Sequence, residues 1–371
     1  MSSQAQTIKR TPLASWHERH GAKMVDFAGW WMPVQYKGIR EEHLAVRSGV
    51  GLFDVSHMGE FSVRGPKALD SLQWMTTNDV SRLKAGEAQY SLFPTSEGGI
   101  VDDLFIYCVE PDSDYLLCVN AANIEKDEAF LRANNRGAEI RNESSEWAQI
   151  AVQGPKADLG LSRVLGFAVH EMPRATHRTA AVFGGVRVAR TGYTGEQGVE
   201  IFVRPDAVEK LWDQLLDAGR PEGAQPIGLG ARDTLRTEVK YSLYGHEIDE
   251  TTHPYEALLG WVVKPKAKDF LGRDAVLRRK EASPQRRLVG FVLEDKGIPR
   301  QGFSILDPAG FERVGVVTSG TLSPSTGQSI GIGYVPQHLS TVGSWICVDL
   351  RGRPAKARVV ETPFLRTSLS S

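Results

Sequence analysis

The spacing of apolar and polar positions changes several times along the chain. Pro12 to His20 reads as a short helix, with Thr11 as its cap and Gly21 beyond its end. Lys23 to Pro33 is dense in aromatic residues and reads as a buried loop-strand or a pocket wall. Residues 39–47 show helical spacing, closed by Gly49 and Gly51. Residues 52–63, 88–94, 100–109, 115–123, 148–152, 185–191 and 199–203 are β-branched, aromatic or alternating, which predicts strands. Helical patterns follow at 123–133, 155–165, 206–218 and 228–238. Val63-Arg64-Gly65-Pro66-Lys67-Ala68 and Val152-Gln153-Gly154-Pro155-Lys156-Ala157 repeat one strand-turn-helix device, so two related α+β halves are expected. From Leu288 to Phe364 short strands alternate with Gly, Pro and Ser turns, which predicts a small all-β domain, a Greek-key barrel. The tail from Leu365 is expected to fray.

Composition narrows the class without naming a function. At 371 residues, two or three domains are expected. A net charge of −1 gives no general attraction to nucleic acid or membrane. Cys108, Cys118 and Cys347 form no C-x-x-C pair and read as buried free thiols in a reducing compartment. The polar first ten residues show no secretory signal, and no run approaches a membrane span. The expected setting is the cytoplasm, or the mitochondrial matrix if a presequence has been removed. One stretch, 264–287, is basic on balance; it is either a solvated helix and linker or a docking face for an acidic partner.

Polar residues that intrude on apolar strands are the candidate chemistry. Gly98-Gly99 mark a turn, and Asp102 and Asp103 sit in the strand that follows. Alternation sends their side chains to opposite faces. Asp102 is expected on the face of Ile100, Leu104, Ile106 and Cys108, and Asp103 on that of Val101, Phe105 and Tyr107. A carboxylate held on a buried face is either paired or used. Asn120 and Glu200 are two further intrusions, and Gly192-Tyr193-Thr194-Gly195 brings backbone and a ring to one spot. Arg232 and Arg236 share a helix face; they form structural ion pairs, or the first reaches an anionic ligand. No metal site is expected. His17-Glu18-Arg19-His20 lacks the four-residue histidine spacing and reads as a surface helix. Ser56-His57 is not a nucleophile-base pair, and His57 reads as a hydrogen-bonded core residue.

Taken in order, six segments carry a resemblance: Asp54-Val55-Ser56-His57-Met58, Gly98 to Leu104, Val119-Asn120-Ala121-Ala122, Gly192 to Glu196 with Glu200, Gly228 to Asp233, and Leu243-Tyr244-Gly245-His246. Together they resemble the glycine cleavage T-protein family of aminomethyltransferases, from about residue 10 to about residue 366. The resemblance implies a three-lobed α+β cloverleaf, with two intertwined α/β lobes and a C-terminal small β-barrel. The expected divisions are 1–50 with 140–245, 51–139 with 246–275, and 284–371. It implies tetrahydrofolate as co-substrate in a central cavity and no metal. It implies the lipoylated H protein as partner, with ammonia released and 5,10-methylenetetrahydrofolate formed. By resemblance Asp103 is the catalytic acid, Glu200 binds the pterin, and Arg232 contacts folate. Asn120, Tyr90, Met58, Tyr193 and Trp261 line the site, and Arg366 lies in a segment near it. One stretch departs from the family pattern: Val239-Lys240-Tyr241-Ser242 stands where many relatives carry small and apolar residues. Two other readings share the fold. One is a folate-dependent demethylase of a methylated amine or sulfonium compound; the flavin-linked version lacks its G-x-G-x-x-G here. The other is a folate-binding module without transferase activity, whose reactive-cysteine motif is absent.

Overall fold

The structure, a computed structural model, describes residues 8–369. Two sheets built on the repeated strand-turn-helix device form its centre. One sheet runs Ala88–Pro94, Ile100–Glu110, Asp114–Val119, Gly59–Arg64, Glu139–Asn142. The other runs His177–Ala180, Val186–Ala189, Gly198–Val203, Ala148–Gln153, Gly51–Asp54, with the short Gln225–Pro226 added at its edge. Each is an antiparallel meander of three strands laid beside the repeat strand. After the repeat strand comes a helix, Ala68–Met75 in one lobe and Ala157–Leu165 in the other. Gly65 and Gly154 make the exit at φ 91° and 141°.

The lobes are intertwined. Gly51–Asp54 pairs with Ala148–Gln153, while Glu139–Asn142 pairs with Gly59–Arg64. The chain therefore crosses between lobes after Asp54 and again after Asn142. Each sheet buries one face under its own helices. Phe61, Leu72, Leu104, Ile106 and Leu117 fill one core. Trp16, Ile150, Leu161, Ile201 and Trp212 fill the other. The opposite faces meet each other through Tyr107, Cys118 and Phe202. Burying both faces explains why these strands read as nearly continuous apolar runs.

The third lobe is a closed six-stranded barrel over Arg286–Leu293, Ser304–Leu306, Arg313–Leu322, Ser329–Pro336, Trp345–Asp349 and Pro354–Val360. Closure removes exposed strand edges. The barrel clamps the helix Leu229–Glu238: Arg236 donates to the Ser319 hydroxyl, and Ser323 and Ser325 donate to Glu238. The fold is thus the expected α+β cloverleaf.

Two local expectations are corrected. The helix Ala14–Arg19 does expose Ser15, Glu18 and Arg19, but His17 is not on its surface: it is fully buried between Asp54, at 3.0 Å, and the Tyr36 hydroxyl, at 2.7 Å. Thr11 does not cap it; its hydroxyl donates to Asp54 instead. The tail is not frayed through Leu369. Ser368 bonds Glu196 and Gln197, and Arg174 holds the Leu369 carbonyl.

Candidate active site

The turn before Ile100–Glu110 accepts only glycine. A Cβ on Gly99 would sit 1.7 Å from the Glu250 carbonyl oxygen, and Gly98 has φ 79°. Opposite Phe93/Pro94 the strand bulges at Val101. Alternation therefore breaks between Val101 and Asp102, so Ile100 and Val101 swap the faces the pattern assigned them: Val101 joins the core of Leu104 and Ile106, and Ile100 joins that of Leu92. From Asp102 onward alternation holds. Asp102 is fully buried on the helix-covered face, and Asp103 faces a central cavity with Phe105.

That cavity has a volume of about 1000 Å³ and lies where the three lobes meet. Asp103 receives the Tyr90 hydroxyl at 2.9 Å on one oxygen and Asn120 Nδ2 at 2.8 Å on the other. Tyr90 comes from the neighbouring strand and Asn120 from the end of Asp114–Val119, so the paired strands fix all three side chains. Tyr90 stacks on Trp261 at 5.8 Å, and Trp261 is 60% exposed at the rim. Burial, reinforced by the charge of Asp102, pushes the Asp103 carboxyl up to about 7. The two hydrogen bonds oppose that shift.

A second polar group lies across the cavity. Glu200 accepts the Thr191 hydroxyl, and burial raises its carboxyl above the ordinary value. The Arg232 guanidinium lies 4.7 Å from the Tyr193 ring centre and has no carboxylate within ion-pair distance among the described residues. Of the two arginines on this helix, Arg236 is the structural one, paired with Glu247 and Asp233. Arg232 is left free toward the cavity. Met58, Tyr193 and Trp261 line the same space. Arg366 does not. It is exposed beside a smaller cleft with Arg47 and Glu196, while Thr362 and Pro363 of the same segment reach the central cavity.

Two residues on this wall depart from their sequence reading. His57, expected to be a hydrogen-bonded core residue, is buried, but its Nδ1 has no partner and its ring borders the cavity. Burial and then Arg232 depress it to about 4, so it is neutral at neutral pH. Lys240 also lines the cavity, from a left-handed backbone position at φ 57°. Burial lowers its ammonium to about 8, and no described carboxylate pairs with it. Its signal was present in the sequence, since it stands in the segment that departs from the family pattern. Among the described residues no cluster of His, Cys, Asp and Glu is arranged for a metal, and no helix is long and apolar enough to cross a membrane.

A cavity open at one rim, holding a carboxyl raised to about 7 with free polar groups facing it, has the marks of an enzyme active site. A family profile described as the GCVT N-terminal domain matches residues 13–267, and one described as the glycine cleavage T-protein C-terminal barrel domain matches 286–365. An aminomethyltransferase of Bdellovibrio bacteriovorus is 55% identical over 96% of this chain and 99% of its own length; one from Halothermothrix orenii is 47% identical over 96% and 100%. The chain belongs to the glycine cleavage T-protein family and is an aminomethyltransferase of the glycine cleavage system. The crystal structure of glycine cleavage system aminomethyltransferase T from Bartonella henselae superposes with a TM-score of 0.91 at 33% identity, covering 97% of this chain and 99% of that one.

Proposed function

We propose that the central cavity binds tetrahydrofolate, and that Asp103 serves as the acid-base group when the methylene of an aminomethyl-lipoyl H protein is transferred to it. The family uses tetrahydrofolate. The observation that carries the assignment is the Asp103 carboxyl, held facing the cavity by the Tyr90 and Asn120 donors and raised by burial to about 7. Such a group is part-ionised at neutral pH, where general acid-base catalysis is most effective. When bound, the folate supplies the amine nitrogen that accepts the one-carbon unit. Asp103 orients that amine, takes its proton, and stabilises positive charge developing on the methylene as ammonia leaves. Tyr90 and Asn120 hold the carboxylate still. The products are ammonia, 5,10-methylenetetrahydrofolate and the dihydrolipoyl arm.

The unpaired groups on the walls fit this ligand. Glu200 offers two acceptor oxygens to the donor edge of a pterin, and Arg232 and the free nitrogen of His57 offer further polar contacts. Tyr193, Met58 and Phe105 supply the apolar surface for its rings. Lys240, beside Tyr241 and Leu288, suits the anionic glutamyl tail. Its contribution falls as pH rises through about 8. Arg366 lies too far along the tail segment to share that role without rearrangement, and we assign it none.

For the partner, the helix Arg273–Glu281 presents Arg278 and Arg279 to solvent, with no described acid paired to either. We assign this face to docking of the acidic H protein. Cys108, Cys118 and Cys347 are free and buried, which suits a reducing compartment such as the cytoplasm. The deciding experiment is a reconstituted assay with aminomethyl-lipoyl H protein. Ammonia release that depends on tetrahydrofolate is expected; release at the same rate without it would overturn the folate assignment.

A further inference from the structure

Two of the buried acids, Asp102 and Asp127, lie behind the site and do not face the cavity. Both are fully buried. Asp102 accepts the Asn120 amide N–H at 3.2 Å, Asn120 Nδ2 at 2.8 Å and Asn123 Nδ2 at 2.6 Å. Asp127 projects from the helix Ile124–Asn134, on the apolar face with Ile124 and Leu131. Neither of its oxygens meets an N–H or hydroxyl donor. What it does meet is the carboxyl of Asp102, in hydrogen-bond contact. The adjacent cation, Lys126, is turned away: its ammonium donates to the Tyr244 hydroxyl at 2.7 Å and lies 3.7 Å from Glu250.

Two ionised carboxylates cannot share a dry site; like charges in contact force a proton onto one of them. Asp102 already has three N–H donors, which favour its ionised form. Asp127 has none, so the proton belongs to Asp127, and its O–H becomes the fourth donor to Asp102. We propose that Asp127 is a neutral acid at working pH, and that the Asp102–Asp127 pair acts as one fixed negative charge positioning Asn120 and Asp103. Asn120 links the two sites, because its Nδ2 reaches the carboxylates of both Asp102 and Asp103. The charge on Asp102 also opposes ionisation of Asp103 and keeps it basic. The other titratable groups around these three acids are Tyr90, Tyr193, Tyr244 and Lys126. The three tyrosines are held neutral by burial, so Lys126 is the nearby charge of opposite sign. Asp102 and Asp127 are positioning residues, and the reasoning rests on the role given to Asp103.

Three variants and one spectrum test it. Asp102→Asn removes the fixed charge, so the pH midpoint of ammonia release moves toward acid by about one unit. Asp127→Leu removes the donor; kcat falls at least about tenfold with little change in KM for tetrahydrofolate, the mark of a lost transition-state contact. Asp127→Asn supplies an N–H donor without changing the charge, and it restores the midpoint and most of kcat. An acid shift in Asp127→Asn matching that of Asp102→Asn would mean that Asp127 is ionised, and would overturn the proposal. An unmoved midpoint in Asp102→Asn would overturn it equally. Infrared spectroscopy of the ligand-free protein at about pH 9, where Asp103 is ionised, reads the proton without catalysis. The protonated-carboxyl C=O absorption of the wild type is expected to lose one component in Asp127→Asn, while that of Glu60, buried with both oxygens unpartnered, persists. No difference between the two spectra would overturn the proposal even if Asp103 is the catalytic acid.

Discussion

Replacing Tyr90 by Phe isolates one hydrogen bond to the proposed catalytic acid. The ring keeps its contacts with Phe105, at 5.7 Å, and with Trp261, at 5.8 Å. What disappears is the hydroxyl donor 2.9 Å from Asp103 Oδ2. A hydrogen bond to an ionised group contributes about 1.5–3 kcal/mol, and a neutral partner about half that. The difference between the two protonation states is therefore about 1–1.5 kcal/mol, or about one pKa unit. The bond favours the carboxylate, so its loss raises the Asp103 carboxyl from about 7 by that amount. The ionised fraction at about pH 7 then drops roughly fivefold, and most of it returns by about pH 9. The assay is the pH profile of tetrahydrofolate-dependent ammonia release at saturating substrates. The alkaline plateau should be kept and the midpoint displaced upward. A midpoint that stays in place, or moves toward acid, refutes the claim that Tyr90 tunes this carboxyl.

Lys240→Gly relieves a left-handed position, φ 57°, that suits glycine, so unfolding stability rises by about 1 kcal/mol in denaturant titration. The same change removes the cation assigned to the glutamyl tail, and KM for tetrahydrofolate rises several-fold with kcat held; unchanged KM counts against that role. Arg47→Leu strands two buried acids, since Arg47 bonds Glu196 at 2.8 Å and Glu238 at 2.9 Å; the expected loss is about 3–5 kcal/mol in urea unfolding. A loss below about 1 kcal/mol would show that these acids are not held by Arg47. Reversing both charges at Arg278 and Arg279 weakens H-protein binding in calorimetry and flattens its salt dependence; unchanged, salt-insensitive binding rejects the docking face.

The strands, the paired repeat and the terminal barrel were legible because each depends on short-range periodicity. The side-chain alternation at Asp102 and Asp103 was legible for the same reason. Its failure at Ile100 and Val101 was not, because a bulge depends on the partner strand, here at Phe93/Pro94. The segment His17 to His20 was read as surface helix, which missed the burial of His17. Its partners, Asp54 and Tyr36, come from elements distant in sequence, and nothing in the local pattern announces them. Resemblance to the family pointed to Glu200, Arg232 and Asn120, but only the fold brings them to one cavity. It also separates Arg232, which is unpaired, from Arg236, which is committed to Glu247. Asp127 was within reach of sequence reasoning. With Ile124 and Leu131 it occupies i, i+3 and i+7, which places an acid on an apolar helix face. Arg366 shows the opposite case: it is close in sequence to cavity residues, but the chain turns it outward after Pro363.

The catalytic assignment is tested most directly by Asp103→Asn, with transfer rate and tetrahydrofolate affinity measured on the same preparation. Asn keeps the shape and the hydrogen bond from Tyr90 but cannot take a proton. The expected result is affinity within a few-fold of wild type and a transfer rate lower by about 10²–10⁴-fold across the pH range. A rate close to wild type, with affinity retained, would contradict the role of Asp103 as the acid-base group.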